Sequence, residues 1–182
     1  MFRDHFDAVV MLTFGEWGKD RGNRLHFGTR FARHLPVYFV QPDRLNPGAP
    51  FSFEDTEVQG LTLIHVHNDY QTNPSSVFRA LRARGVLKPL LWIYNPFFLP
   101  FVREVYAGLK VYHATEDYYL KGSYSSGKVS YGITNTLTLL FKHVDLVVSI
   151  TDAILGNCRR YGRYAGSGVV SPNGCVIACQ SV

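Results

Sequence analysis

The sequence has little from which to build a disulfide framework. Its three cysteines, Cys158, Cys175 and Cys179, all fall late, an odd number with no early partner. Cys175 and Cys179 stand four apart, but no second ligand pair follows them, so no metal site is expected. No apolar run approaches the roughly 20 residues that cross a bilayer. The opening Met-Phe-Arg-Asp-His has none of the apolar core of a secretory signal, so a cytoplasmic location is the expectation. No stretch combines dense Lys and Arg with spaced aromatics, which argues against nucleic acid as a partner. The dinucleotide fingerprint GxGxxG is missing too. What is present suits an ordinary globule: 46% hydrophobic and 18% charged residues over 182 positions, enough for one α/β domain with a full sheet. Aromatics reach 14%, and many fall in loops. The net charge of +5 favours an acidic partner such as an anionic membrane surface or a phosphorylated ligand.

Short apolar runs alternate with helical periodicity along the whole chain. Residues 7–14 (DAVVMLTF) read as a buried parallel strand that stops at a glycine-rich loop. Asn23 is expected to cap a helix whose apolar positions are Phe27, Gly28, Phe31, Ala32 and Leu35. A strand at 36–42 follows, and 42–60, rich in Pro, Gly and acids, reads as a long loop. Strands are expected at Leu61–Val66, 89–94, Leu109–Ala114, 145–150 and 168–171. Between them lie a basic helix capped by Ser75 or Ser76, a short helix from Pro96, and a helix marked by Val129, Ile133, Leu137, Leu140, Phe141 and Val144. A last helix, capped by Thr151, carries Ile154, Leu155, Cys158 and Tyr161 on its apolar face. Strand–helix alternation predicts a doubly wound, mostly parallel Rossmann-like sheet with right-handed crossovers.

Ligands of such sheets bind beyond the carboxyl ends of the strands, and the informative loops lie there. GEWGKDRG, from Gly15 to Gly22, lets backbone and a helix N-terminus approach a polar or anionic ligand; a plain strand-to-helix turn is the alternative. His113, Glu116 and Asp117 follow a strand directly, a placement suited to acid–base work or to holding hydroxyls; two solvated acids beside a half-buried histidine would look the same. Residues 122–128 (GSYSSGK) fall short of a phosphate-binding loop, because Val129 replaces the magnesium-binding Ser or Thr and the loop does not spring from a strand. His65 and His67 share one face of a strand without a third ligand nearby, so packing roles are expected. Arg79, Arg82, Arg84 and Lys88 form a basic stripe, by default a solvated helix face and alternatively a contact with acidic lipid at the inner membrane face.

Read in order, the Gly15–Trp17 loop, LWIYNPFFLP (91–100), KVYHATEDY (110–118), HVDLVVSITDAI (143–154) and VVSPNG (169–174) span nearly the whole chain. Together they resemble the N-terminal domain of GT-B-fold glycosyltransferases of the glycogen-synthase-like (family four) group, nearest to bacterial polysaccharide-assembly members. The resemblance implies that residues 1–174 are the acceptor-binding domain and 175–182 a tail or the start of a linker. It also implies a C-terminal donor-binding domain, which carries a glutamate pair spaced E-x7-E. No two glutamates here stand eight apart, so that half is expected to lie outside these residues. By the same resemblance Gly15, Glu16 and Trp17 match the acceptor-side loop, and Glu116 is expected to join them in binding the acceptor. His113 takes the position of a catalytic histidine or aspartate, and Asp117 that of an acid common in the subgroup. The group retains anomeric configuration and uses a nucleotide-sugar donor without a metal or other cofactor, with a saccharide or lipid-linked acceptor. The expected function is sugar transfer completed by the second domain. A standalone sugar- or nucleotide-binding module and a triphosphate-using enzyme built on 122–128 are the alternatives.

Overall fold

The run of small and branched apolar residues after Asp7 forms β1 (Val9–Leu12), and all four of its residues are buried. A strand apolar on both sides needs cover on both, and the chain supplies it by winding helices over each face. The computed structural model describes residues 4–19, 22–42, 49–67, 69, 73–120 and 131–172. After β1 come α1 (Asn23–Ala32), β2 (Val37–Pro42), β3 (Phe51–Asp55), β4 (Leu61–Val66), α2 (Ser75–Ala83) and β5 (Leu90–Ile93). A 3₁₀ turn (Pro96–Phe98) then leads to α3 (Leu99–Glu104), β6 (Leu109–Ala114), α4 (Tyr131–Leu140), β7 (Leu146–Ser149), α5 (Asp152–Arg160) and β8 (Ser167–Val170).

The strands form one sheet in the order β3-β4-β2-β1-β5-β6-β7-β8, parallel throughout except where β3 meets β4. From β1 the chain steps outward to β2; from β5 it steps outward the other way, through β6, β7 and β8. Right-handed crossovers running in opposite directions put their helices on opposite faces. Hence α1 packs with Val9, Met11, Phe39, Leu61 and Trp92, while α2 to α5 cover Val10, Leu12, Ile64, Leu91 and Tyr112. The doubly wound sheet expected from the alternation is present.

Local chemistry sets the element ends, with several departures from expectation. Thr151 does cap α5, its Oγ1 accepting from the Ile154 N–H at 3.2 Å, and Asp152 and Arg159 sit at the dipole ends that suit their charges. Asn23, in contrast, is the first helical residue of α1, and Gly22 is the cap without a side-chain bond. Pro74 caps α2, because the Ser75 hydroxyl turns to Asn73 Oδ1 at 2.9 Å instead. Residues 42–60 are not all loop: Phe51 and Phe53 alternate with Ser52 and Glu54 in β3, and both rings pack on the α2 side of the sheet. Five residues beside prolines, glycine and acids are a short signal for a strand. Tyr161 is the C-cap of α5 and largely exposed, since the helix ends before that position could turn inward. Val129, the loop at 122–128 and the tail 175–182, with Cys175 and Cys179, lie outside the described residues.

Close packing beyond α5 depends on a missing side chain. A Cβ at Gly162 would stand 2.6 Å from the Cys158 carbonyl oxygen and would also strike the Phe141 ring. Gly162→Ala should therefore lower stability by about 1–3 kcal/mol, the usual cost of overpacking. Urea unfolding of the two proteins measures it, and an unchanged midpoint would contradict this packing.

Candidate functional site

The strand order reverses between β1 and β5, and there the crossovers diverge and leave a crevice at the carboxyl ends of the strands. Thr13, fully buried after β1, shares its hydroxyl between the carbonyls of Val40 and Gly15 at 3.2 and 3.1 Å, which fixes where the glycine loop departs. Across the crevice, Asn95 accepts the Phe97 N–H at 2.8 Å and starts the 3₁₀ turn. That turn brings Phe97 and Phe98 against Phe14, at ring distances of 6.4 and 6.1 Å. Phe14 and Phe97 are both exposed, so aromatic faces line the mouth of the crevice.

Behind this mouth lies an aromatic nest on the α1 face. His113, on β6, is fully buried, with the rings of Phe27, Trp92 and Tyr94 at 4.8, 5.2 and 5.1 Å. Its Nδ1 accepts from the Trp92 indole N–H at 3.2 Å, whereas its Nε2 is buried without a protein partner. The Tyr94 hydroxyl is buried as well and makes no hydrogen bond of ordinary length, although the Trp92 indole lies near enough to act on it. Such atoms cost on the order of 1–3 kcal/mol each unless something bonds to them. Arg24, from the first turn of α1, stands 5.3 Å from the centre of the Tyr94 ring. Burial, and then the Arg24 charge, lower the His113 pKa from its ordinary 6.5 to about 4. Burial raises the Tyr94 phenol well above its ordinary range, against smaller opposing effects of Trp92 and Arg24. The imidazole and the phenol are therefore both uncharged at neutral pH.

The structure separates the residues expected to share the site. The Gly15–Trp17 loop and His113 pack against different sides of α1: Trp17 lies over Gly28 and Phe39, and His113 against Phe27. A hydrogen-bonded relay holds the loop. The Trp17 N–H donates to Gln41 Oε1 at 2.6 Å, Gln41 Nε2 meets His65 Nδ1 at 3.3 Å, and His65 Nε2 meets Glu54 at 2.8 Å. Glu16 pairs with Lys19 at 2.6 Å, and with Trp17 it borders a depression of about 300 Å³ beside Glu54 and His65. His65 is thus a packed, bonded residue, and His67 is exposed past the strand end. Asp117 accepts from Asn157 Nδ2 at 2.6 Å and from the Tyr119 N–H at 3.1 Å, which ties it toward α5, on the opposite side of the sheet from the His113 nest. Glu116 is exposed. Among the described residues no three His, Cys, Asp or Glu side chains gather closely enough to hold a metal ion. Arg24, Trp92, Tyr94, Phe14 and Phe97 also stand at the site, and none of them is among the site residues expected from the sequence. The signal available was position alone: Trp92 falls within β5, and the others fall just past a strand or in the first turn of a helix at the carboxyl edge.

This architecture recurs in sugar-transferring enzymes. Sucrose-phosphate synthase from Thermosynechococcus elongatus superposes with a TM-score of 0.67 at 10% identity, over 93% of this chain and 48% of that one. The UDP-forming α,α-trehalose-phosphate synthase of Burkholderia vietnamiensis gives 0.56 at 12%, over 92% and 49%. A trehalose-6-phosphate synthase studied for glycosyl transfer with retention gives 0.55 at 12%, over 91% and 48%. The fold is that of a Rossmann-like GT-B half. The chain spans about half the length of these enzymes. No family model and no curated protein sequence matches it.

The depressed His113 pKa has a consequence for stability. Between pH 6.5 and about 4 the unfolded chain takes up a proton at this site that the folded chain refuses. Stability from this group is complete above pH 6.5 and falls as the pH drops through that window, by a total of about 3 kcal/mol. His113→Gln should flatten that part of the pH dependence in urea titrations. An identical slope in the two proteins would place the titration elsewhere.

Proposed function

We propose that this chain is the acceptor-side half of a retaining glycosyltransferase that takes a sugar from a nucleotide-sugar donor without a metal ion. The observation that carries the proposal is the buried, unpartnered His113 Nε2, with the buried Tyr94 hydroxyl next to it, beside the crevice where the strand order reverses. A neutral imidazole and a phenol can bond sugar hydroxyls, the exposed rings of Phe14 and Phe97 can lie against a sugar face, and Arg24 can meet an anionic group. The similar enzymes are named for sugar phosphate products, and one is named as UDP-forming, which supports a nucleotide sugar as donor and a phosphorylated saccharide as acceptor. Residues 1–174 form the acceptor domain on this reading, and the donor is held by a second domain outside them.

In a protein that also carries the donor half, His113→Gln should cut turnover by about 100- to 10,000-fold, the usual loss when a positioned proton-handling group is removed. An unchanged rate would end its assignment. This chain alone should show no transfer and should bind UDP- and GDP-sugars no tighter than about 1 mM, roughly 4 kcal/mol of binding free energy. Calorimetry decides between this reading and a standalone binding module, which would bind at micromolar concentrations.

A cytoplasmic setting at the inner membrane face accompanies this reading. No helix of the described residues is long and apolar enough to cross a membrane. Leu87 and Tyr106, 74% and 72% exposed, share a groove with Arg82, and Arg79, Arg84 and Lys88 extend the basic stripe. Arg84 also covers the Phe53 ring at 4.2 Å. Leu87 and Lys88 precede β5, at the amino edge of the sheet, so a membrane docked there would lie about 20 Å, the extended run from Lys88 to Tyr94, from the crevice. That separation favours a soluble saccharide over a lipid-linked acceptor. Sedimentation with phosphatidylserine vesicles should show binding that added salt abolishes. Equal retention on neutral vesicles would remove the electrostatic contact.

A further inference from the structure

We propose that Trp92 is a positioning residue that sets the tautomer of His113, so that the neutral imidazole carries its proton on Nε2 and meets a ligand as a hydrogen-bond donor. The inference deepens the glycosyl-transfer reading, on which the identity of the ligand rests; the tautomer itself is a property of this chain alone.

An indole N–H can donate and cannot accept. Its 3.2 Å contact with Nδ1 therefore obliges that nitrogen to be the acceptor, and a neutral ring must then keep its one proton on Nε2. Strand register brings the two side chains together. Trp92 pairs with Val111 across β5 and β6, which makes His113 its diagonal neighbour on the same face of the sheet. The indole in turn is held by α1, stacked on Phe27 at 5.0 Å and edge-on to Phe31 at 5.0 Å. Side chains, not solvent, thus choose which nitrogen carries the proton.

The surroundings keep the ring neutral. Arg24 and Phe27 face it from α1, Trp92 and Tyr94 from β5 and its end, and Val148 pairs with it from β7. The only charge among these is positive. It opposes protonation, as does the indole dipole aimed at Nδ1. An imidazole held this way is a weak base, which suits it to grip a hydroxyl or a leaving oxygen through Nε2–H rather than to abstract a proton. The Tyr94 hydroxyl is the one competitor for the indole proton. If Trp92 served Tyr94 instead, Nδ1 would be bare and the tautomer unconstrained.

Nitrogen NMR of this chain with labelled histidines, without any sugar, tests the proposal. The seven histidines are separated by assigning His113 through its loss in His113→Gln. The expected spectrum has Nε2 protonated and Nδ1 bare from about pH 8 down to about pH 5. In Trp92→Phe both tautomers should appear, and the midpoint should move up from about 4. A proton on Nδ1, or a charged ring at neutral pH, in the unaltered chain would overturn the proposal, so the result stands even if the variant does not fold. Retention of the single Nε2–H form in a folded Trp92→Phe would overturn the part given to Trp92. Titration with glucose 6-phosphate is read separately. A resting tautomer as expected, with no response of Nε2 to any sugar phosphate, would count against the glycosyl-transfer reading and leave the tautomer lock in place.

Discussion

The constraint on which the rest of this structure depends is the change of winding direction between β1 and β5. Right-handed crossovers are nearly obligatory, so reversing the direction of travel along the sheet forces the helices to change face. In this chain only α1 among the described helices falls on its side, and the other four share the opposite one. A gap at the strands' carboxyl ends follows from topology, and Phe14, Tyr94, Asn95 and Phe97 stand around it because each lies within four residues of the end of β1 or β5. Chemistry then needs only suitable residues at those few positions.

Because α1 works alone on that face, it has several roles. Phe27 and Phe31 clamp the indole of Trp92, Gly28 makes room for Trp17, and Arg24 sets the charge felt by Tyr94 and His113. The glycine at 28 is a matter of space: a Cβ there would come within 2.9 Å of the Trp17 ring. One short helix therefore joins the loop on its one side to the histidine nest on its other, even though the two do not touch.

Much of the fold was legible because buried parallel strands and amphipathic helices leave strong periodic traces. All seven parallel strands fell near their expected places, and Thr151 announced α5 through its own chemistry. What escaped was local and short. β3 is five residues set among turn-forming neighbours, and the caps of α1 and α2 depended on which acceptor a side chain found nearest. The candidate site was legible only by position. That His113 ends a strand at the ligand edge could be read from the pattern. That it is buried under Phe27, and that Asp117 is taken by Asn157, depends on which neighbours the sheet order supplies, and no one-dimensional spacing carries that information.

The one strand that runs against the others has a bearing on how the molecule keeps to itself. An open parallel edge is a template on which another chain can extend the sheet. Here β4 is sealed by β3, whose direction is reversed and whose sequence places Glu54 and Asp55 at its outer end. A second molecule approaching along that margin meets acidic side chains and a strand of the wrong polarity for continuing the parallel pattern. A stretch of five residues, two of whose rings pack into the core, thus also acts as a guard against chain-to-chain growth along that margin.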